Sequence, residues 1–258
     1  MLAFSANLSM LFAEVHFLER FAKAGLAGFR GVECQFPYDH AIDQILHQLQ
    51  RCNLVLVLHN LPAGDWRNGE RGIGCLPDRV GEFQDGVGRA IEYANALGCT
   101  RLNCLAGIAP PGTPDDVLRD TFVGNLAFAA REMKKAGVRL LIEPLNTRDV
   151  PGFFLRHSRQ ALDIITDVSS DNLYLQYDVY HMHIMEGDII SSIGANLSRI
   201  AHIQIADSPG RHQPGTGEIN YPQIFEFLDR SSYSGWIGCE YTPTTSTEDR
   251  LDWWHPEA

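Results

Sequence analysis

Short apolar runs recur along the chain with polar, helix-patterned stretches between them. They fall at residues 3–7 (AFSAN), 31–35 (GVECQ), 54–59 (LVLVLH), 101–105 (RLNCL), 138–143 (VRLLIE), 173–178 (LYLQYD), 200–205 (IAHIQI) and 236–240 (WIGCE). Runs this short and this apolar predict strands buried on both faces, as in a parallel sheet. Segments such as IDQILHQLQRC, VGEFQDGVGRAIEYANALG and DVLRDTFVGNLAFAAREMKKAG repeat apolar residues at three- and four-residue steps and predict amphipathic helices. Gly25, Gly98 and Gly137 stand where left-handed helix ends are expected. Eight strands alternating with helices predict the α/β class and a single (β/α)8 TIM barrel, with residues 1–258 as one domain.

The polar residues that interrupt this pattern cluster at one end of the strands. Glu143, Asp178 and Glu240 close three of the runs, Gln204 lies inside a fourth, and Asp207 follows its tip. The separations Glu143 to Asp178, Asp178 to Gln204 and Gln204 to Glu240 are 35, 26 and 36 residues, each about one βα unit. Four adjacent strands would therefore aim them into one bowl at the C-terminal end of the barrel, where barrel enzymes build their sites. Three carboxylates gathered there repel one another unless a cation lies between them. The oxygen-rich set Glu143, Asp178, Gln204 and Glu240 predicts a divalent metal, Mg²⁺ or Mn²⁺ in preference to a thiolate-seeking ion. The bland alternative for each acid is a helix cap or a pairing with arginine.

His59 ends the third run and His181 follows Asp178 by three residues; both are candidates for binding substrate, as core hydrogen bonding is the alternative. His183 is expected outside the pocket. Arg211, on the Gly/Pro-rich loop SPGRHQPGTGE, offers a guanidinium that would grip a substrate carboxylate with two parallel bonds, unless it is simply a surface arginine. Trp66, Glu70 and Arg71 in the loop after the third run are weaker candidates for covering the mouth. The stretch PGTGEINY carries Gly215, Gly217 and Glu218 but neither phosphate-loop fingerprint, and is read as a turn leading to a helix.

Composition narrows the classes. With 258 residues and 45% hydrophobic content the chain can bury one large core. A formal net charge of −11 opposes a nucleic-acid partner. Six cysteines without a CxxC pair read as reduced thiols. The N-terminal stretch lacks a basic region and is interrupted by Glu14, and no uncharged apolar run reaches membrane-spanning length, so a cytoplasmic protein without membrane contact is expected. Trp253 and Trp254 are expected either in the contact of a homo-oligomer or packed on the barrel itself.

The segments FSANLSMLF, FRGVECQFPYD, LHNLPAGDW, LLIEPLN, YDVYHM, HIQIADSPGRHQPGTGEINY and WIGCEY together resemble the hydroxypyruvate isomerase family, within the xylose-isomerase-like barrels, over essentially the whole chain. That resemblance implies a small hydroxy- or keto-acid substrate, interconversion of hydroxypyruvate and tartronate semialdehyde, and Glu143 and Glu240 as the catalytic pair. Related sugar epimerases hold a metal on Glu, Asp, His and Glu, so Gln204 departs from the wider pattern; their histidine three residues after the metal-binding Asp supports His181 as a substrate ligand. Isomerases of 2-oxotetronate, small-ketose 3-epimerases and a non-catalytic barrel that binds sugar acids remain as competing readings. A barrel endonuclease would need more strand-end histidines and a basic groove.

Overall fold

The computed structural model describes residues 2–254. In chain order the elements are β1 (Ala3–Asn7), α1 (Phe17–Leu26), β2 (Gly31–Cys34), α2 (Ile42–Cys52), β3 (Val55–Asn60), α3 (Val80–Leu97), β4 (Arg101–Cys104), α4 (Asp115–Lys135), β5 (Arg139–Ile142), α5 (Ser158–Val168), β6 (Leu173–Asp178), α6 (Val179–Met185), α7 (Ile189–Asn196), β7 (Ile200–Ile205), α8 (Tyr221–Arg230) and β8 (Trp236–Cys239). Every neighbouring pair of strands is parallel, and β1 also pairs with β8, closing the barrel in sequence order. The predicted (β/α)8 barrel is therefore the observed fold, with each strand within a residue or two of its predicted bounds.

The helices bury the faces their periodicity marks: Ile45 and Leu49 of α2, and Leu118, Phe122, Leu126, Ala129 and Met133 of α4, lie in the core between helices and sheet. Gly98 and Gly137 end α3 and α4 in the left-handed region, at φ 70° and 72°. Gly25 does not play that part, because α1 runs on to Leu26 and the left-handed residue is Gly28, at φ 97°. All six cysteines are free thiols. No helix among the described residues is long and apolar enough to cross a membrane.

Inside the barrel, polarity changes with height. Near the N-terminal end a small apolar group of Val57, Leu58, Leu141 and Ala201 packs with Tyr174 and Trp236. Arg101 reaches across that end from β4 to β7 and donates from Nε to the Ala201 carbonyl at 3.2 Å. Higher up, Ser5, Glu33, Asn103, Gln176, His202 and Gln204 are all buried. A polar interior of this kind survives only if its members satisfy one another. Trp253 and Trp254 pack on the barrel: the indole of Trp254 stacks on Phe29 at 4.0 Å, and Trp253 donates from Nε1 to the Tyr241 hydroxyl at 3.2 Å. This is the intrachain packing that one of the two expectations named, and both residues remain partly exposed.

Candidate active site

Parallel strands present their C-terminal ends on one rim, and the acids that follow them meet there. Glu143 lies one residue past β5, Asp178 ends β6, Gln204 is its register partner on β7, and Glu240 lies one residue past β8. Ligand atoms of Glu143, Asp178 and His181 all come within 4.8 Å of one another. Arg211 joins them from the loop after β7: its Nη2 stands 3.5 Å from Asp178 Oδ2 and 3.4 Å from Glu240 Oε2. Glu240 also accepts from Gln35 Nε2 at 2.8 Å, and Glu143 from Asn103 Nδ2 at 2.8 Å.

Burial makes this cluster reluctant to ionise. Burial is the largest cause of the raised value of Glu143, and repulsion from Glu240 and Asp178 adds to it, which places that carboxyl well above the usual range. Glu240 is pushed up to about 7, chiefly by burial, although Arg211 pulls it down. Asp178 is raised by burial as well, opposed by Arg211 and by the backbone N–H groups of Tyr180 and His181. One guanidinium thus stands against three acids.

The residues fit a divalent cation. Asp178 Oδ2 is buried and has no hydrogen-bond partner among the described residues, and a bare carboxylate oxygen grouped with Glu143 and His181 suits a hard ion; Glu240 of the predicted set stands outside that group, on the far side of Arg211 Nη2. Linkage gives the sign of the pH effect. Glu240 holds its proton more tightly folded than unfolded, so its contribution to stability is present below its ordinary value of 4.5 and lost as the pH rises through about 7. Metal-free protein is therefore expected to melt at progressively lower temperature over that window, and saturating Mn²⁺ to flatten the slope. Equal slopes with and without Mn²⁺ in thermal melts would contradict the cation site.

The two candidate histidines are both buried and both neutral. Burial lowers His181 well below its ordinary value, and the positive charge of Arg211 lowers it further. Its Nδ1 accepts from the Asn146 backbone N–H at 3.2 Å, so the proton sits on Nε2, the atom 3.6 Å from Asp178 Oδ2. An imidazole in that tautomer serves better as a hydrogen-bond donor to substrate oxygen than as a metal ligand, despite its proximity to the acids. His59 is pushed down to about 4 by burial. Its Nδ1 faces the Asn60 carbonyl and the Tyr38 hydroxyl, each at 3.2 Å, while Nε2 is buried and has no hydrogen-bond partner among the described residues. That atom is an acceptor for a hydroxyl proton.

Arg211 is held by its loop, and at a cost. Its φ of 56° lies in the left-handed region, which charges a non-glycine residue about 1–2 kcal/mol. Asp207 compensates: its carboxylate accepts from the backbone N–H groups of Ser208, Gly215, Gly217 and Ile219 at 2.8–3.1 Å. Gly217 is required there, because a Cβ would collide with the Ser208 carbonyl and the Asp207 carboxylate. Asp207 is thus a loop staple, set apart from the bowl. Asp207→Ala should strip four N–H groups of their acceptor and lower stability by about 3 kcal/mol, read by denaturant titration; an unchanged midpoint would remove this role.

The weaker candidates organise loops. Glu70 accepts from Arg79 Nη1 at 2.7 Å, Arg71 lies 4.2 Å over the Trp66 ring, and Trp66 packs on Phe36. His183 pairs with Glu218 at 3.1 Å, away from the acids. Sequence reasoning passed over Glu33, Gln35, Asn103 and Asn146. A signal existed for the first three, since each is a polar residue within or just after a predicted strand.

The closed parallel barrel with acids at its C-terminal rim defines a TIM-barrel protein, its candidate site at the end where such barrels build theirs. The chain belongs to the xylose isomerase-like TIM barrel family, whose model matches residues 21–256. It is 53% identical over 256 residues to the hydroxypyruvate isomerase of Escherichia coli, covering 99% of both chains. It is 45% identical to a 2-oxo-tetronate isomerase of Cupriavidus necator, over 98% of this chain and 97% of that one. A solved structure described as an AP endonuclease of family 2 from Brucella melitensis superposes with a TM-score of 0.97 at 44% identity, covering 99% of each chain.

Proposed function

We propose that the chain is an isomerase that interconverts hydroxypyruvate and tartronate semialdehyde by proton transfer through an enediolate. The observation that carries this reading is the pair Glu143 and Glu240, both buried, both raised, and electrostatically linked. Two carboxyls whose values are displaced toward neutrality let one hold a proton while the other accepts one. The 53% identity to a hydroxypyruvate isomerase supports the choice of substrate.

In this scheme one glutamate takes a proton from the hydroxymethyl carbon of hydroxypyruvate. The other delivers a proton to the neighbouring carbonyl carbon, and the hydroxyl proton passes from one substrate oxygen to the other. Glu143, Asp178, Gln204 and Glu240 would hold the cation, Mg²⁺ or Mn²⁺, which supplies Lewis-acid polarisation of the carbonyl when bound. Arg211 faces the substrate carboxylate, His181 donates from Nε2 to a substrate oxygen, and His59 accepts a hydroxyl proton at Nε2. Burial of the acids keeps bulk water from quenching the carbanionic intermediate.

The test is metal-stripped protein in deuterated water with hydroxypyruvate, with and without Mg²⁺ or Mn²⁺, followed by NMR. The expected result is tartronate semialdehyde carrying deuterium on carbon, formed only with metal. A folded, metal-loaded sample that neither converts nor exchanges would sink the reading.

A second substrate is favoured by the 45% identity to a 2-oxo-tetronate isomerase. The same carboxylate pair would serve it, and a kcat/KM comparison of the two acids decides between them. A nuclease is disfavoured, because a net charge of −11 repels a phosphate backbone.

A further inference from the structure

Glu33 takes no part in the scheme above, yet its carboxylate is the hub of the buried polar layer beneath the acids. It stands on β2, fully buried. It accepts from Ser5 Oγ at 2.9 Å, Asn7 Nδ2 at 3.1 Å and Gln204 Nε2 at 2.7 Å, and lies 2.8 Å from His202 Nε2. Two of these partners come from neighbouring β1 and two from β7, so the carboxylate bridges the inside of the barrel. Gly238 on β8 leaves the space for it, since a Cβ there would collide with both carboxylate oxygens.

The two ends of a glutamine amide are nearly equal in size and opposite in chemistry, so only neighbours decide which way it faces. A carboxylate accepts and cannot donate. Glu33 therefore compels Gln204 to turn its NH₂ toward β2. From the other side Gln176 Nε2 donates to Gln204 Oε1 at 2.6 Å, which matches that orientation without imposing it: Gln176 Oε1 is buried with no hydrogen-bond partner among the described residues, so the Gln176 amide can turn in step. A carbonyl oxygen has a second lone pair, and Gln204 lies beside Asp178 in register.

We infer that Glu33 is a positioning residue that orients the Gln204 amide so that oxygen, and not nitrogen, is presented to a divalent cation at the mouth. This rests on the reading of Gln204 as a metal ligand. It explains how an amide can stand in a ligand set: a carboxylate behind it removes the wrong orientation.

The experiment is Mn²⁺ titration calorimetry on the intact wild-type protein, Glu33→Gln, Gln204→Leu and the double variant Glu33→Gln/Gln204→Glu. In Glu33→Gln the residue can donate, so the Gln204 amide is free to turn and Mn²⁺ affinity should fall about 10–100-fold. Gln204→Leu should fall at least as far. The double variant keeps the net charge and a hydrogen bond between the two positions, and places an oxygen at either end of residue 204, so affinity should return to near the wild-type value. A structural defect caused by losing Glu33 would persist in the double variant, and that failure to recover would overturn the inference. So would undiminished affinity in Glu33→Gln. Undiminished affinity in Gln204→Leu would overturn the ligand reading and with it the inference, and a wild-type protein that binds no Mn²⁺ would remove the metal itself.

Discussion

Glu240→Gln is expected to lower kcat/KM for hydroxypyruvate by about 10³-fold or more while the protein stays folded. General acid–base catalysis alone contributes about 10²–10⁴-fold, and the same side chain is also a candidate ligand, so the loss should sit at the upper part of that range. Glutamine keeps the size of Glu240 and the possibility of a bond with Gln35, now 2.8 Å away, so the fold has little reason to yield. It cannot take up or release a proton. Glu143→Gln should behave alike, because Glu143 shares the same buried cluster and is raised by the same causes. The isotope experiment separates the two roles: the variant that has lost the initiating base should cease to exchange the hydroxymethyl proton, while the other should still exchange it without completing the reaction. Full turnover in either variant with metal bound would end the two-carboxylate scheme.

Arg211→Met should raise KM by about 10²–10³-fold, with a smaller change in kcat. Two charge-assisted hydrogen bonds to a substrate carboxylate are each worth about 1.5–3 kcal/mol, and only part of that sum survives desolvation. The substitution also removes the cation that lies 3.5 Å from Asp178 and 3.4 Å from Glu240. Without it the acids repel more strongly, so protonation of the cluster should persist to higher pH and the pH–rate profile should move upward. Arg211→Lys should recover little, because a point charge on a flexible stem does not reproduce the planar fork. A variant with unchanged KM and an unshifted profile would place substrate recognition elsewhere, with His59 and His181 next to test.

Much of this was legible in the chain itself, for identifiable reasons. Strand positions were readable because most of each strand is buried and each carries a short run of apolar residues. Glu143, Asp178 and Glu240 were readable because carboxylates at the ends of such runs have nowhere to go but the rim. Asp207 misleads on the same evidence. It follows a strand as the others do, but it sits in a loop rich in glycine, and the free N–H groups of that loop claim its carboxylate. Gly25 misleads because helix ends shift by a residue or two without changing the amphipathic pattern, so the left-handed residue fell at Gly28.

The division between sequence and tertiary structure follows from distance along the chain. By itself the sequence determined the βα period, the closed parallel barrel that it implies, and the rim on which the acids gather, because these depend on local periodicity and on the direction of each strand. Only the tertiary structure decided which polar group meets which. Glu33 reaches Gln204 and His202 across 171 and 169 residues, and Arg211 is brought between Asp178 and Glu240 by a loop held on Asp207. Such contacts depend on strand register, barrel closure and loop shape. No local pattern of hydrophobic and polar residues contains them, because they arise only when strands far apart in the chain close around one interior.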